Sequence, residues 1–108
     1  MIVFFRTSGS TLYAVGSSQP FDTQDYEKLI WLFAGARPLK DHALTGNFIG
    51  PRKEMITPWS TNAVEITQTM GIKGIERIEE FFEVKDESAP HDRMLQRLHK
   101  GLDQELFT

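Results

Sequence analysis

The sequence contains no cysteine among its 108 residues. Disulfides, thiolate metal sites and a cysteine nucleophile are therefore excluded. A glycine-rich phosphate loop of the Walker or Rossmann type is also absent, so no nucleotide-binding motif is visible. The three histidines, His42, His91 and His99, do not stand at reliable metal-ligand spacing, although the last two could share a face of one helix. We predict no catalytic residue, no bound metal and no cofactor in this chain.

Excess positive charge and long apolar runs are missing as well. The net charge is −3 and the pI is about 5.6, which gives no electrostatic reason to expect a nucleic acid partner. No apolar run approaches the roughly 20 residues that span a bilayer. The apolar residues 1–5 lack the basic segment of a signal peptide. We expect no membrane association and a cytoplasmic location.

The hydrophobic and aromatic content of the sequence indicates a folded protein. Hydrophobic residues make up 40% and aromatic residues 11% of the chain, which is typical of globular proteins and argues against disorder. At this length the chain forms one domain with a modest core.

The best-defined element is a helix that begins near Thr57 and ends at Gly71. Thr57 suits the N-cap, and Pro58 suits the first helical position, where a missing N–H costs nothing. Asn62 and Glu65 give an alternative start one turn later. We predict that apolar residues at helical spacing form one buried stripe. The stripe consists of Trp59, Ala63, Ile66 and Met70.

The first part of the chain predicts a hairpin and a helix. Two β-rich runs, residues 2–7 and 11–16, flank a Ser-Gly-Ser turn. Asp22 can cap the helix that follows, and Gly35 and Pro38 end it. A polar loop and a short strand at residues 47–50 come next.

Residues 74–84 fit both a helix and a strand by periodicity. Their aromatic and β-branched content favours a strand. Glutamates fall on both faces of this strand, which suggests a sheet edge or a strand partly open to water. They are Glu76, Glu79, Glu80 and Glu83.

A last helix is predicted from Pro90, a residue that suits the first helical position. Its apolar stripe would be Met94, Leu95, Leu98 and Leu102. Leu106 and Phe107 require burial against something further, so we expect residues 1–108 to be a fragment of a longer chain.

The predicted order of elements is ββαβαβα. Helices of this length cover one face of a small, mostly antiparallel sheet, which predicts an α+β fold of two layers. A ferredoxin-like sandwich is the natural candidate.

Three segments also carry a family resemblance. They are Pro51-Arg52 with Ile-Thr-Pro-Trp-Ser-Thr at 56–61 and Gly71, then Arg77-Ile78-Glu79, then His91-Asp92-Arg93-Met94. In order and spacing they resemble the N-terminal region of phosphoribosylformylglycinamidine synthase in its long, single-chain form. The agreement runs from about residue 46 to 94, and the first 45 residues agree in layout more than in identity.

The resemblance implies an N-terminal accessory domain of a ligase in de novo purine biosynthesis. Such an enzyme uses ATP, magnesium and glutamine to convert formylglycinamide ribonucleotide to the amidine. The resemblance assigns this chemistry to the synthetase and glutaminase domains, which would be the partners of this domain. Because the glutaminase uses a cysteine nucleophile, this chain is not that domain. Scaffolding and coupling are the expected roles, and the isolated chain is expected to be inactive.

The resemblance further implies a ferredoxin-like domain related to small subunits that associate through their sheets. The sequence leaves open whether the isolated domain forms a homodimer.

Six residues are candidates for binding an anion or for a domain interface: Arg52, Ser60, Thr61, Arg77, His91 and Arg93. The first three lie around the start of the predicted helix, where free N–H groups and the helix dipole favour an anion. Simple capping is the alternative there. Arg77 could instead pair with Glu79 on one strand face, and residues 91–93 could be an ordinary polar helix start.

Two further hypotheses remain at this stage. The chain could be a free-standing, ferredoxin-like, self-associating binding or regulatory module. It could also be a small enzyme that uses Asp41 and His42, or Glu65, although these residues have no recognisable catalytic geometry.

Overall fold

The computed structural model describes residues 1–92 and 94–107, which form two helices and a six-stranded sheet. The elements are β1 (Ile2–Arg6), β2 (Thr11–Ser17), α1 (Thr23–Leu32), β3 (Arg37–Pro38), β4 (Leu44–Pro51), α2 (Pro58–Thr69), β5 (Ile75–Val84) and β6 (Gln96–Leu102). The strands lie in the order β3-β1-β2-β5-β4-β6, and each neighbouring pair is antiparallel.

This architecture confirms the predicted α+β class. The observed element order is ββαββαββ, which contains the βαββαβ order of a ferredoxin-like fold with one further strand at each end. This order does not decide the ferredoxin-like part of the prediction, which is not confirmed. The predicted polar loop before residue 47 is shorter than expected, because it contains β3 and the start of β4.

The first hairpin and the cap of α1 form as their sequences predict. β1 and β2 pair with Val3 opposite Val15. The carboxylate of Asp22 accepts a hydrogen bond from the Asp25 N–H at 2.8 Å, and the Asp25 carboxylate accepts one from the Asp22 N–H at 3.1 Å. These reciprocal bonds satisfy two N–H groups that lack partners within the helix.

Two hydrophobic clusters cover the two faces of the sheet. The helix-side cluster joins both helices to β1, β2 and β5, and its buried members are Phe5, Val15, Leu29, Phe33, Ala36, Ala63, Ile72, Ile75 and Ile78. The cluster on the opposite face, which we call the open-side cluster, consists of Ile2, Phe4, Leu12, Ala14, Phe48, Phe81, Leu102 and Leu106. Leu106, which was predicted to need burial against something further, is thus buried within this domain.

Residues 75–84 form the predicted strand, but this strand is not at an edge. β5 lies between β2 and β4 in the sheet. Its glutamates are compatible with a central strand, because Glu79 pairs with the buried Arg77 and Glu80 faces the hydroxyl of Tyr13.

The predicted last helix is wrong, because residues 96–102 form β6. β6 pairs with the outer edge of β4, so backbone groups that a helix would have left exposed on β4 gain partners. The predicted apolar stripe is broken accordingly, with Met94 80% and Leu95 57% exposed. His91 and His99 do not share a helix face, since His99 lies on β6 and His91 in the loop before it.

Helix α2 has the predicted boundaries but a different buried face. The Thr57 hydroxyl accepts a hydrogen bond from the Ser60 N–H at 3.0 Å, and Gly71 has φ +86° at the end. The buried positions are Ser60, Ala63 and Thr67, while Trp59 and Ile66 are 42% and 46% exposed. The predicted stripe was therefore correct for Ala63 and wrong for Trp59 and Ile66.

The hydroxyl of Ser60 explains this rotation of α2. β4 pairs with β5 only at residues 82–84, so the N–H groups earlier in β5 that point away from β2 have no strand partner on that side. The Ser60 Oγ accepts a hydrogen bond from the Ile78 N–H at 3.1 Å. A buried serine thus supplies the acceptor that β4 no longer provides.

Replacing Ser60 with alanine is expected to lower the free energy of unfolding by about 1–3 kcal/mol, because the buried Ile78 N–H loses its acceptor. Chemical denaturation followed by circular dichroism measures the change. Thr61→Ala is the matched control, since Thr61 lies on the same helix and is exposed. Equal effects of the two substitutions would contradict the role assigned to Ser60.

Candidate functional site

A buried ion pair on β5 organises the loop before α2. Arg77 Nε donates to Glu79 Oε2 at 2.9 Å, and both side chains are almost fully buried. The remaining guanidinium donors bind backbone carbonyl oxygens of the loop, which are those of Lys53 at 2.6 Å, Met55 at 2.8 Å and Arg52 at 3.3 Å. The pair therefore fixes residues 52–55 against the sheet, in the place where β4 has ended.

The carboxylate of Glu79 also occupies the start of α2. Its Oε1 accepts a hydrogen bond from the Thr57 hydroxyl at 2.8 Å, and its Oε2 accepts one from the Thr57 N–H at 3.3 Å. Any external anion at this helix start would meet a negative charge that is already in place. This geometry favours capping over an anion site here.

The six predicted binding residues do not form one site in the described structure. Arg52 is partly exposed and pairs with Glu54 at 3.3 Å. Thr61 is exposed on α2, and His91 Nδ1 lies 3.2 Å from the Ala89 carbonyl oxygen. Ser60 and Arg77 are buried and hydrogen-bonded within the chain. Arg93 lies outside the described residues, and binding by any of the six stays a prediction.

A groove with a volume of about 400 Å³ lies beside the N-terminus of α2. We call it the aromatic groove. Its lining residues are Pro51, Thr57, Trp59, Glu79, Glu80, Phe82, Asp92, Leu95 and Gln96. This groove was not predicted from the sequence, in which Trp59 was assigned to the core and residues 94–102 to a helix.

The groove exists because the helices cover only part of the sheet. The helix-side cluster joins the helices to β1, β2 and β5, and no described residue of β4 or β6 belongs to it. Phe82 near the end of β5 is 38% exposed as a result. Trp59 on α2 and residues Asp92 and Leu95 before β6 also line the groove.

Two residues of the groove lining, Trp59 and Glu80, both interact with Tyr13 on β2. The ring centroids of Tyr13 and Trp59 lie 6.1 Å apart with an interplanar angle of 15°. Tyr13 stands opposite Glu80 in the pairing of β2 with β5. Burial raises the pKa of Tyr13, and the charge of the Glu80 carboxylate and its hydrogen bond to the phenol raise that pKa further. The neutral tyrosine therefore orients Glu80 beside the aromatic rings.

No group of three or more potential metal ligands occurs among residues 1–92 and 94–107. In the same part of the chain, neither helix is long and apolar enough to cross a bilayer. His42 is exposed beside Asp41, and its carbonyl oxygen accepts a hydrogen bond from Gln104 Nε2 at 2.9 Å.

The pKa of His99 on β6 lies below its ordinary value. Burial lowers this pKa, and the charge of Arg97 lowers it further, while a hydrogen bond with the Pro51 carbonyl oxygen at 3.1 Å opposes the shift. The imidazole packs edge-on against the Phe81 ring, with 5.3 Å between the two ring centroids. Two further cations, Lys53 and Lys100, line the adjacent cavity.

This shift predicts a loss of stability on acidification. The folded protein binds a proton at His99 less readily than the unfolded chain does. In the unfolded chain the histidine pKa is about 6.5. The stabilisation by neutral His99 is therefore present above this value and is lost as the pH falls through the lower folded-state pKa. We expect the melting temperature to fall less steeply between about pH 7.5 and about 5.5 in His99→Gln than in the parent chain. His42→Gln is the control, and an unchanged slope in His99→Gln would contradict the prediction.

These features define a class of protein: a small α+β domain whose buried polar groups tie its own elements together and whose open groove is suited to binding. Residues 10–106 match the family model described as formylglycinamide ribonucleotide amidotransferase N-terminal. The chain belongs to this family of purine-biosynthesis domains. No solved structure matches it.

Proposed function

We propose that this chain is the N-terminal scaffolding and coupling domain of an enzyme that converts formylglycinamide ribonucleotide to the amidine with ATP and glutamine. The family match over residues 10–106 is the observation that carries this proposal. The partners would be the synthetase and glutaminase domains of the same enzyme. ATP and magnesium would bind in the synthetase domain, and the enzyme would act in the cytoplasm.

The arrangement of polar groups supports a role in binding and positioning. Arg77 and Glu79 are engaged in fixing the loop before α2, and Ser60 is engaged with β5. A catalytic set requires a nucleophile or base within reach of its partner and of a bound substrate. The described polar residues of the aromatic groove have no such arrangement. We expect the isolated chain to turn over neither ATP nor glutamine.

An antibody raised against this chain tests the proposal. Proteins precipitated with it from a lysate of the source cells would be sized and assayed for amidination of formylglycinamide ribonucleotide with ATP and glutamine. We expect a band far heavier than 12.4 kDa that carries the activity, and no activity from the purified chain alone.

Antibody that has been saturated with the purified chain serves as the control, and its precipitate should contain neither the band nor the activity. A band near 12.4 kDa without the activity would overturn the proposal. It would favour a free-standing binding or regulatory module.

A further inference from the structure

Three apolar side chains of the aromatic groove remain in contact with water. Trp59, Phe82 and Leu95 are between 38% and 57% exposed, although they come from three separate segments and face one cavity. Large exposed apolar surface that converges on a concave site is typical of a binding surface. The groove is therefore a candidate for contact with another surface.

The charges that the described residues bring to the groove are of one sign. Its described lining contains the carboxylates of Glu79, Glu80 and Asp92 and no lysine, arginine or histidine. Arg77 already pairs with Glu79. The Asp92 carboxylate accepts the N–H groups of the turn that follows it. Because a carboxylate has two oxygens and about four acceptor positions, Glu80 retains acceptor capacity beyond its bond to Tyr13.

We propose that the aromatic groove receives an arginine side chain, flanked by apolar residues, from a neighbouring domain of the parent enzyme. The guanidinium would lie against the exposed face of Trp59 and donate to Glu80, while the flanking residues would cover Phe82 and Leu95. Only the identity of the domain that carries this arginine rests on the proposed function.

The chemistry of the groove selects this occupant over others. A purely apolar segment would remove Glu80 from water without a cationic partner, which is unfavourable. An anion would be repelled by the carboxylates. Arginine combines a planar face that stacks on indole with a fork of donors that matches a carboxylate, whereas lysine has only a compact charge.

A pair of short peptides tests the proposal with the 108-residue chain itself. The probes are acetyl-Leu-Arg-Leu-amide and its citrulline analogue, which has nearly the same shape and no charge. Binding would be followed by the shifts of the indole N–H and backbone amide signals in NMR spectra. We expect the arginine peptide to shift signals of Trp59 and Phe82 and to bind roughly 5- to 10-fold more tightly than the citrulline peptide.

Two substitutions assign the effect to the groove. Glu80→Gln should weaken binding of the arginine peptide by roughly 3-fold, while Glu76→Gln on the same strand should not, since Glu76 is exposed and lies outside the lining. Trp59→Leu keeps an apolar side chain. It should weaken binding of the arginine peptide more than binding of the citrulline peptide. Trp31→Leu on α1, another exposed tryptophan, is its control. Circular dichroism would establish that each variant is folded.

Several outcomes would overturn the proposal. Equal binding of the two peptides would indicate that the groove recognises only their apolar surface. Shifts elsewhere on the domain, no effect of Glu80→Gln, or no binding up to about 10 mM peptide would also overturn it. These results are independent of the precipitation experiment, so the groove and the enzyme assignment can fail separately.

Discussion

Replacing Glu79 with glutamine is expected to lower the free energy of unfolding by about 3–5 kcal/mol. The substitution keeps the size of the side chain and removes its charge. Arg77, which is 7% exposed, would then lie buried without a counter-charge, and such a charge is strongly destabilising. The Thr57 contacts that connect β5 to the start of α2 would weaken at the same time.

Urea denaturation followed by circular dichroism measures this loss. Glu76→Gln makes the same chemical change at an exposed position of the same strand, and its effect should stay within about 0.5 kcal/mol. A loss for Glu79→Gln that is no larger than this control would contradict the assignment of the ion pair as the support of the loop.

Hydrogen exchange gives a second readout of the same substitution. Because Arg77 holds the loop carbonyl oxygens and Glu79 holds Thr57, we expect amides near residues 55–60 to lose protection before those of the first hairpin. Uniform loss of protection would instead indicate a general effect on the fold.

Replacing Gly50 with alanine is the second substitution with a large expected effect, a loss of about 3 kcal/mol from overpacking. A Cβ at this position would approach the Phe81 ring to within 3.0 Å, closer than real Cβ contacts. Phe81 is 1% exposed within the open-side cluster, so its ring has little room to move. The glycine is therefore required by the close approach of β4 to this ring.

Thermal and urea unfolding would measure the effect of Gly50→Ala. Gly9→Ala is the matched control, because a Cβ there meets nothing closer than a threonine oxygen at 3.9 Å. The double variant with Phe81→Leu separates steric overlap from other causes. We expect Gly50→Ala to lower the free energy of unfolding clearly less in the Phe81→Leu background than in the parent chain. Additive effects would show that the ring is not the obstacle.

Several elements of this fold could be predicted from local sequence because the interactions that define them are local. The capping residues Asp22 and Thr57 bind N–H groups three residues away. Gly71 ends α2 in a conformation that favours glycine. The pairing of Arg77 with Glu79 was also foreseen as an alternative to binding, because alternate residues of a strand share a face.

The wrong predictions concern segments whose structure depends on partners that are distant in sequence. Residues 94–102 have helical periodicity, yet β6 forms because the open edge of β4 offers backbone partners about 50 residues earlier. The same pairing places Leu95 and Phe82 in the lining of one cavity, and so helps to form the aromatic groove. Its residues come from α2, from three strands or their ends, and from a loop, and no local pattern brings these together.

The sequence alone determined the α+β class, the starts of both helices and the absence of cysteine chemistry, because each depends on neighbouring residues or on composition. For residues 75–84 it favoured a strand without excluding a helix. Only the tertiary structure decided which face of α2 is buried, that β5 is central, and that Glu79 occupies the start of α2. The physical reason is that hydrogen-bond partners and apolar neighbours from distant segments outweigh small local preferences once the chain is compact.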